Sequence, residues 1–123
     1  MSTLLFVYGT LKRGCSNHHY LSSQAFVGVA RTVPGFRLYD LGGYPGIAPK
    51  PDDRDGVVGE VWSVDATTLA ELDRFEGVHE GLYRRAALRL MPPFDRQSVE
   101  AYLPGVPFSD RPDIGYEWME PRG

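Results

Sequence analysis

The amino-acid sequence predicts an α+β domain in which strands predominate and one helix lies between two of them. Short apolar and β-branched runs recur between turns rich in glycine and proline, which is typical of strands. Residues 65–77 instead have helical periodicity, with Asp65 as a predicted N-cap and Gly77 at the expected C-terminal stop. These patterns indicate a mixed sheet, and whether the sheet closes into a barrel stays open at this point.

Six runs of the sequence have the composition of strands: residues 4–8, 25–33, 36–40, 56–64, 83–90 and 99–103. A short helix is predicted over residues 17–22, with Asn17 as its N-cap. Residues 41–55 are predicted to form a loop, and the chain from residue 104 onward to lie over the surface, because both segments are rich in glycine, proline and aspartate. We expect residues 1–123 to form a single domain.

The predicted helix carries one acid on its apolar side. Leu69, Leu72 and Phe75 define an apolar stripe when residues are placed at about 100° intervals. Glu76 projects roughly 40° from the centre of this stripe, between Leu69 and Leu72. The wheel therefore predicts that Glu76 faces the core.

Two physical effects act on an acid in this position. An ionised carboxylate facing a core is costly unless it is paired, and the negative end of the helix dipole further disfavours its charge. Both effects raise the pKa of Glu76 toward neutrality, where a carboxyl group can both accept and donate protons. The alternative is that the last turn rotates, so that Glu76 meets water, Arg84 or Arg85.

Composition and charge exclude several classes of function. A hydrophobic share of 42% and a charged share of 24% fit a soluble globular protein. A net charge of -3 does not indicate the basic surface that binds nucleic acid. One cysteine excludes an internal disulfide, and no run has the composition of a signal peptide or the roughly 20 apolar residues of a membrane span. We expect a cytoplasmic protein without nucleic-acid or membrane partners.

The segment after the first predicted strand resembles two kinds of site only superficially. Gly9 and Gly14 bracket four residues, as in a phosphate-binding loop, but Cys15 stands where that motif has lysine. His18 and His19 are adjacent and have no acidic or cysteine partner at ligand spacing. The sequence therefore predicts neither a phosphate loop nor a metal site.

Two further features of this segment carry chemistry. Cys15 is a candidate nucleophile because basic residues and His18 lie near it in sequence, although a cysteine in a turn is more often incidental. Gly9 allows the backbone to approach a ligand closely. Successive N–H groups in such a turn can hold a carboxylate or an oxyanion.

Four segments, in order along the chain, resemble one known family. The run VYGTLKRG with NHHYL shortly after it, then GEVWSVD, LDRFEG and LYRRAALRL, are similar to segments of gamma-glutamylcyclotransferase-like proteins. The first run is closest to the gamma-glutamylamine cyclotransferase branch. The resemblance covers most of residues 4–103 and implies a small mixed β-barrel with a few surrounding helices.

The resemblance also implies which residues form the site. In the family, the Tyr-Gly-Thr-Leu loop holds the substrate and the glutamate of the LDxFE segment transfers protons. In this sequence these residues are Tyr8, Gly9, Thr10, Leu11 and Glu76. The glutamate that the resemblance names is the one that the helical wheel turns inward.

The implied reaction is an intramolecular cyclisation. The α-amine of a gamma-glutamyl compound attacks its own γ-carbonyl, forms 5-oxoproline and expels an amine, so no cofactor, metal or protein nucleophile is required. Glu76 is the expected general acid and base. Tyr83 and Tyr102 are expected to line the pocket, with ordinary half-buried strand tyrosines as the alternative. Two other functions stay open: a non-catalytic small-molecule binding protein on this scaffold, and a hydrolase that uses Cys15 and His18.

Overall fold

The computed structural model describes residues 2–105 and 111–120 and confirms the α+β class. Within these residues, eight strands form two sheets, and one α-helix and one 3-10 turn accompany them. In chain order the elements are β1 (Ser2–Val7), the 3-10 turn (His18–Leu21), β2 (Ala25–Arg31), β3 (Phe36–Asp40), β4 (Pro45–Pro49), β5 (Val58–Asp65), α1 (Ala66–Phe75), β6 (Tyr83–Ala87), β7 (Val99–Pro104) and β8 (Asp113–Gly115).

The larger sheet is mixed, as predicted, but it is not a closed barrel. Its strand order is β2-β5-β1-β7-β6, with β1 and β7 parallel and the other neighbours antiparallel. The sheet curls until the segments after its two edge strands meet, where Thr32 bridges Leu90 and the N–H of Met91 donates to the carbonyl of Arg31 at 2.8 Å. A barrel requires a continuous ladder at the seam. In the described residues the seam is one short bridge, so the sheet is curled rather than fully closed, which is compatible with the predicted fold.

Two strands lie where the sequence predicted none. β4 falls in the segment predicted as a loop, and β8 falls beyond residue 104. Both pair antiparallel with β3, where Leu38 lies opposite Ile47 of β4 and opposite Gly115 of β8. Pairing with β3 determines these strands, because neither has the alternating pattern of an amphipathic strand. Residues 106–110 and 121–123, also predicted to lie over the surface, are outside the described residues.

The central strand β1 is buried on both faces. Phe6 and Tyr8 contribute to a cluster that includes residues of the three-stranded sheet β4-β3-β8. Leu5 and Val7 contribute to a second cluster, with Leu72 of α1. This alternation follows the period of two along a strand. The larger sheet therefore lies between the smaller sheet and the helix.

The helix α1 begins and ends where the sequence predicted. Asp65 Oδ1 accepts the N–H of Thr68 at 2.8 Å, which caps the first turn. Gly77 has a φ of +69°, and the N–H of Val78 donates to the carbonyl of Asp73 at 3.0 Å. This is the bonding pattern by which a glycine ends a helix. The chain therefore turns sharply just after Glu76.

The apolar stripe of α1 is narrower than predicted. Leu69 and Leu72 are buried, but Phe75 is 41% exposed. Its ring packs on that of Tyr20, with centroids 4.6 Å apart, because the 3-10 turn rather than the sheet lies beside it. That turn replaces the predicted short helix, and the side chain of Asn17 does not cap it. No helix in the described part of the chain is long and apolar enough to cross a membrane.

Candidate active site

Three neighbouring strands bring tyrosines to one edge of the larger sheet. Tyr8 directly follows β1, and Tyr102 lies in the second half of β7, which runs parallel to β1. Tyr83 is the first residue of β6, which runs antiparallel to β7, so it lies at the same edge. Glu76, at the end of α1, meets them there. All four line a cavity of about 340 Å³, a volume typical of small-molecule sites.

This cavity brings together every residue that the sequence analysis assigned to the site from the family resemblance. The residues named there are Tyr8, Gly9, Thr10, Leu11, Glu76, Tyr83 and Tyr102. The geometry fixes their proximity, and their roles in a reaction remain predictions.

The carboxyl group of Glu76 is half-buried and forms no ion pair with another described residue. Arg85, one of its possible partners, instead pairs with Asp73 and Glu100, and Arg84 is exposed. Burial raises the pKa of Glu76 to about 7. The inward orientation is therefore found, and the group is both proton acceptor and proton donor near neutral pH.

The turn after β1 has free main-chain donors. In the described residues, the N–H groups of Gly9, Thr10 and Leu11 donate to no protein acceptor, whereas the carbonyls of Gly9 and Thr10 accept from Lys12 and Asn17 at 3.1 and 2.9 Å. The side-chain amide of Asn17 also donates to Thr10 Oγ1 at 3.0 Å. The turn is held through its carbonyls and its hydroxyl, which leaves the N–H groups available to an anion.

The three cavity tyrosines that the sequence analysis named all donate their hydroxyl protons to protein groups. Tyr8 donates to the carbonyl of Tyr102, and Tyr102 donates to Asp73 Oδ1 at 2.7 Å. Tyr83 donates to the carbonyl of Pro45 at 2.9 Å. Burial, with a smaller contribution from Glu76, raises the pKa of each tyrosine, so each stays protonated. A hydroxyl whose proton is engaged offers only lone pairs to a ligand.

Asp73 is in turn held by Arg85. The guanidinium donates two hydrogen bonds to the two carboxylate oxygens of Asp73, at 2.9 and 3.1 Å. Burial alone would raise the pKa of Asp73, but the hydrogen bonds from Arg85 and Tyr102 lower it below its usual value. Asp73 therefore remains an ionised acceptor that fixes the Tyr102 hydroxyl.

The cysteine alternative is not supported by the geometry. Among the described residues that line the cavity, neither Cys15 nor His18 occurs. Burial raises the pKa of the Cys15 thiol, which disfavours the nucleophilic thiolate. Nδ1 of His18 lies 3.0 Å from the carbonyl oxygen of Leu11, and its ring packs against that of Trp62. Within the part of the chain that the structure describes, no group of His, Cys, Asp and Glu side chains could hold a metal ion.

Several lining residues were missed by the sequence analysis. Tyr44, Pro45 and Arg111 come from segments rich in glycine and proline, which carry no periodicity that would orient a side chain. Leu82 had a usable signal, because it opens the run LYRRAALRL that resembles the family. Tyr44, Leu82 and Arg111 are exposed, whereas Pro45 is buried.

The fold and site together define a small α+β protein with a ligand cavity at one edge of a curled mixed sheet. The chain matches the family described as gamma-glutamyl cyclotransferase, AIG2-like, over residues 5–117, and it belongs to this family.

Individual relatives agree with this assignment. A Vibrio cholerae protein provisionally named a gamma-glutamylcyclotransferase is 49% identical over 78 residues, which are 63% of this chain and 65% of that protein. A Drosophila melanogaster protein with the same provisional name is 39% identical over 113 residues, 84% of this chain and 69% of that protein. A match to a third such protein, from Arabidopsis thaliana, spans 51% of its length, so this chain covers less than two thirds of some relatives.

A solved structure extends the likeness to the whole fold. The crystal structure of an AIG2-like protein from Mus musculus superposes with a TM-score of 0.79 at 30% sequence identity, covering 98% of this chain and 97% of that chain.

Proposed function

We propose that this protein is a gamma-glutamyl cyclotransferase, which releases 5-oxoproline and a free amine or amino acid from a gamma-glutamyl compound. The observation that carries the proposal is the Glu76 carboxyl, whose pKa is about 7, in one cavity with the free N–H groups of the turn Gly9 to Leu11. Membership of the family supports the class of reaction.

Glu76 acts as base and then as acid in the proposed reaction. Its carboxylate accepts a proton from the α-ammonium, and the resulting α-amine attacks the γ-carbonyl carbon to form the five-membered ring. The protonated Glu76 then donates to the nitrogen of the leaving group as the amide C–N bond breaks. The ring nitrogen gives up its second proton through the same carboxylate to the released amine, which departs as an ammonium. Atoms balance without water, and the intramolecular attack means that positioning supplies much of the acceleration.

The turn binds an anionic part of the gamma-glutamyl group, and the tyrosines bind its α-ammonium. The free N–H groups of Gly9, Thr10 and Leu11 suit an anion, which is either the α-carboxylate or the oxyanion of the tetrahedral intermediate. The oxygens of Tyr83 and Tyr102 offer lone pairs, so they suit the N–H groups of the α-ammonium. Both interactions orient the α-amine toward the γ-carbonyl.

A direct assay tests the reaction. Purified protein is incubated with gamma-glutamyl-alanine and with gamma-glutamyl-ε-lysine, and the 5-oxoproline formed is measured by mass spectrometry. We expect product from at least one compound, and Glu76→Gln is expected to lower the rate about 100- to 10,000-fold because it removes the proton-transfer group.

The matched control is Glu71→Gln, which removes an exposed acid of the same helix. It should leave the rate unchanged. Binding of both compounds without any 5-oxoproline, at high protein concentration, would instead favour the non-catalytic binding protein. Equal rates for wild type and Glu76→Gln would contradict the assigned mechanism.

A further inference from the structure

The mouth of the cavity has a different chemistry from its interior. Four lining residues are exposed, namely Tyr44, Phe75, Leu82 and Arg111, and we call this group the rim. Its three apolar members are 41–56% exposed. Large apolar side chains gathered around an opening are typical of a binding surface rather than of an ordinary protein surface.

Arg111 is the one cation among the residues that line the cavity, within the described chain. It forms no ion pair with another described residue. Its charge acts on Asp40, whose pKa is lowered first by hydrogen bonds from the N–H groups of Gly42 and Gly43 and to a smaller extent by Arg111. Asp40 is therefore satisfied by the main chain, and no acid of the described residues forms an ion pair with the Arg111 guanidinium, which suits it to bind an anion.

The orientation of the substrate follows from the proposed function, on which this inference rests. The gamma-glutamyl head occupies the interior, between the free N–H groups of the turn and Glu76. The leaving group then extends toward the mouth, where it meets the rim. A leaving group that matches the rim has an apolar body and a negative charge.

We propose that Arg111 is a specificity-determining residue that binds a carboxylate on the leaving group. The preferred substrates are accordingly gamma-glutamyl conjugates of apolar amino acids, in which the carboxylate is attached one carbon from the scissile nitrogen. Conjugates of the corresponding simple amines lack the anion that Arg111 binds. The first loop, which resembles that of the gamma-glutamylamine branch, lines the interior of the cavity. In the proposed orientation the interior holds the gamma-glutamyl head, and both kinds of substrate contain this head.

A matched pair of substrates isolates the carboxylate. Gamma-glutamyl-leucine and gamma-glutamyl-isoamylamine differ only in that the second lacks the carboxylate, so both present the same apolar body to the rim. For each we measure kcat/KM from the release of 5-oxoproline, and the readout is the ratio of the two values. We expect the wild type to favour gamma-glutamyl-leucine about tenfold, the usual effect of a charge-assisted hydrogen bond at a partly exposed site.

Arg111→Gln should reduce this ratio to about one. The control is Arg96→Gln, which makes the same change of charge at an exposed arginine outside the cavity lining and should keep the wild-type ratio. A wild-type ratio near one, or the same ratio in wild type and Arg111→Gln, would overturn the inference while leaving the reaction intact. Absence of 5-oxoproline from both substrates would instead refute the proposed function itself.

Discussion

The ammonium group of Lys12 donates a hydrogen bond to the main-chain carbonyl of Trp118 at 2.6 Å, although 106 positions separate the two residues. Lys12 is buried, and it directly follows the turn that supplies the free N–H groups. Further along the same loop, the N–H and hydroxyl of Ser16 donate to the carboxylate of Glu120 at 2.6 and 2.7 Å. The C-terminal segment therefore holds the loop that continues the turn Gly9 to Leu11.

Lys12→Met is expected to destabilise the fold by about 1–3 kcal/mol, because the carbonyl of Trp118 loses its charged donor inside the protein. The same change releases the turn, so the KM for a gamma-glutamyl substrate should increase more than kcat decreases. Urea denaturation measures the free energy of unfolding, and initial rates measure the two kinetic constants.

Lys50→Met is the control for this substitution, since Lys50 is the other lysine and lies outside the cavity lining. It should change the free energy of unfolding by no more than about 0.5 kcal/mol. If Lys12→Met alters neither stability nor KM, the C-terminal segment does not hold the turn.

The part of the site that depends on local sequence was predictable. The signals that define the helix lie within a few residues of each other: the N-cap at Asp65, the buried Leu69 and Leu72, and the glycine stop at Gly77. Together they determine the bounds of the helix and the direction in which Glu76 points. The prediction for Phe75 was wrong because the side chain that packs on it, that of Tyr20, belongs to a distant element.

The part that depends on distant partners was not predictable. β4 and β8 are strands because both pair with β3, and their own sequences contain the glycines and prolines of loops. Tyr44 directly precedes β4 and Arg111 lies two positions before β8, so the pairing of these strands with β3 brings both residues to the cavity. A single sequence contains no record of which strands pair, so the rim could not be deduced from it.

Gly9→Ala is expected to distort the site. A Cβ at this position would lie 2.7 Å from Cγ and 3.1 Å from Cδ of Pro45, whose carbonyl accepts the Tyr83 hydroxyl. Such overpacking costs about 1–3 kcal/mol and should displace Tyr83 from the cavity. Urea denaturation and the rate of 5-oxoproline release both report the effect.

Pro45→Ala tests the cause, because it removes the ring atoms that the new Cβ would meet. In the Pro45→Ala background, Gly9→Ala should therefore lower the free energy of unfolding much less than it does in the wild type. Strictly additive losses would show that the contact between the two residues is not responsible.

The stability of the protein should depend on the titration of Glu76. Its pKa is 4.5 in the unfolded chain and about 7 in the fold, so the folded state binds the proton more tightly between these values. Stability therefore falls as the pH rises from about 4.5 to 7 and levels off above 7. The full contribution is at most about 3 kcal/mol, and screening of this half-buried carboxyl by solvent reduces it.

Glu76→Gln removes this titration while keeping the size of the side chain. Urea denaturation at pH 5 and pH 8 should show that the variant gains stability relative to the wild type as the pH rises. Glu71→Gln, at an exposed position of the same helix, should show no such change. If the free energies of unfolding of wild type and Glu76→Gln differed by the same amount at pH 5 and pH 8, the pKa of Glu76 would not be raised.

The reaction rate should also depend on the titration of Glu76, but it should increase with pH, whereas the stability decreases. In the proposed reaction ionised Glu76 first accepts a proton from the α-ammonium, so kcat/KM should increase about tenfold per pH unit below 7 and level off above it. Rates of 5-oxoproline release between pH 5 and 8 measure this profile.

Glu76→Asp keeps a carboxyl group on a shorter side chain, so it should lower the rate but retain a rising limb. Glu76→Gln should lose the limb altogether, and a flat wild-type profile would assign the proton transfer to a different group.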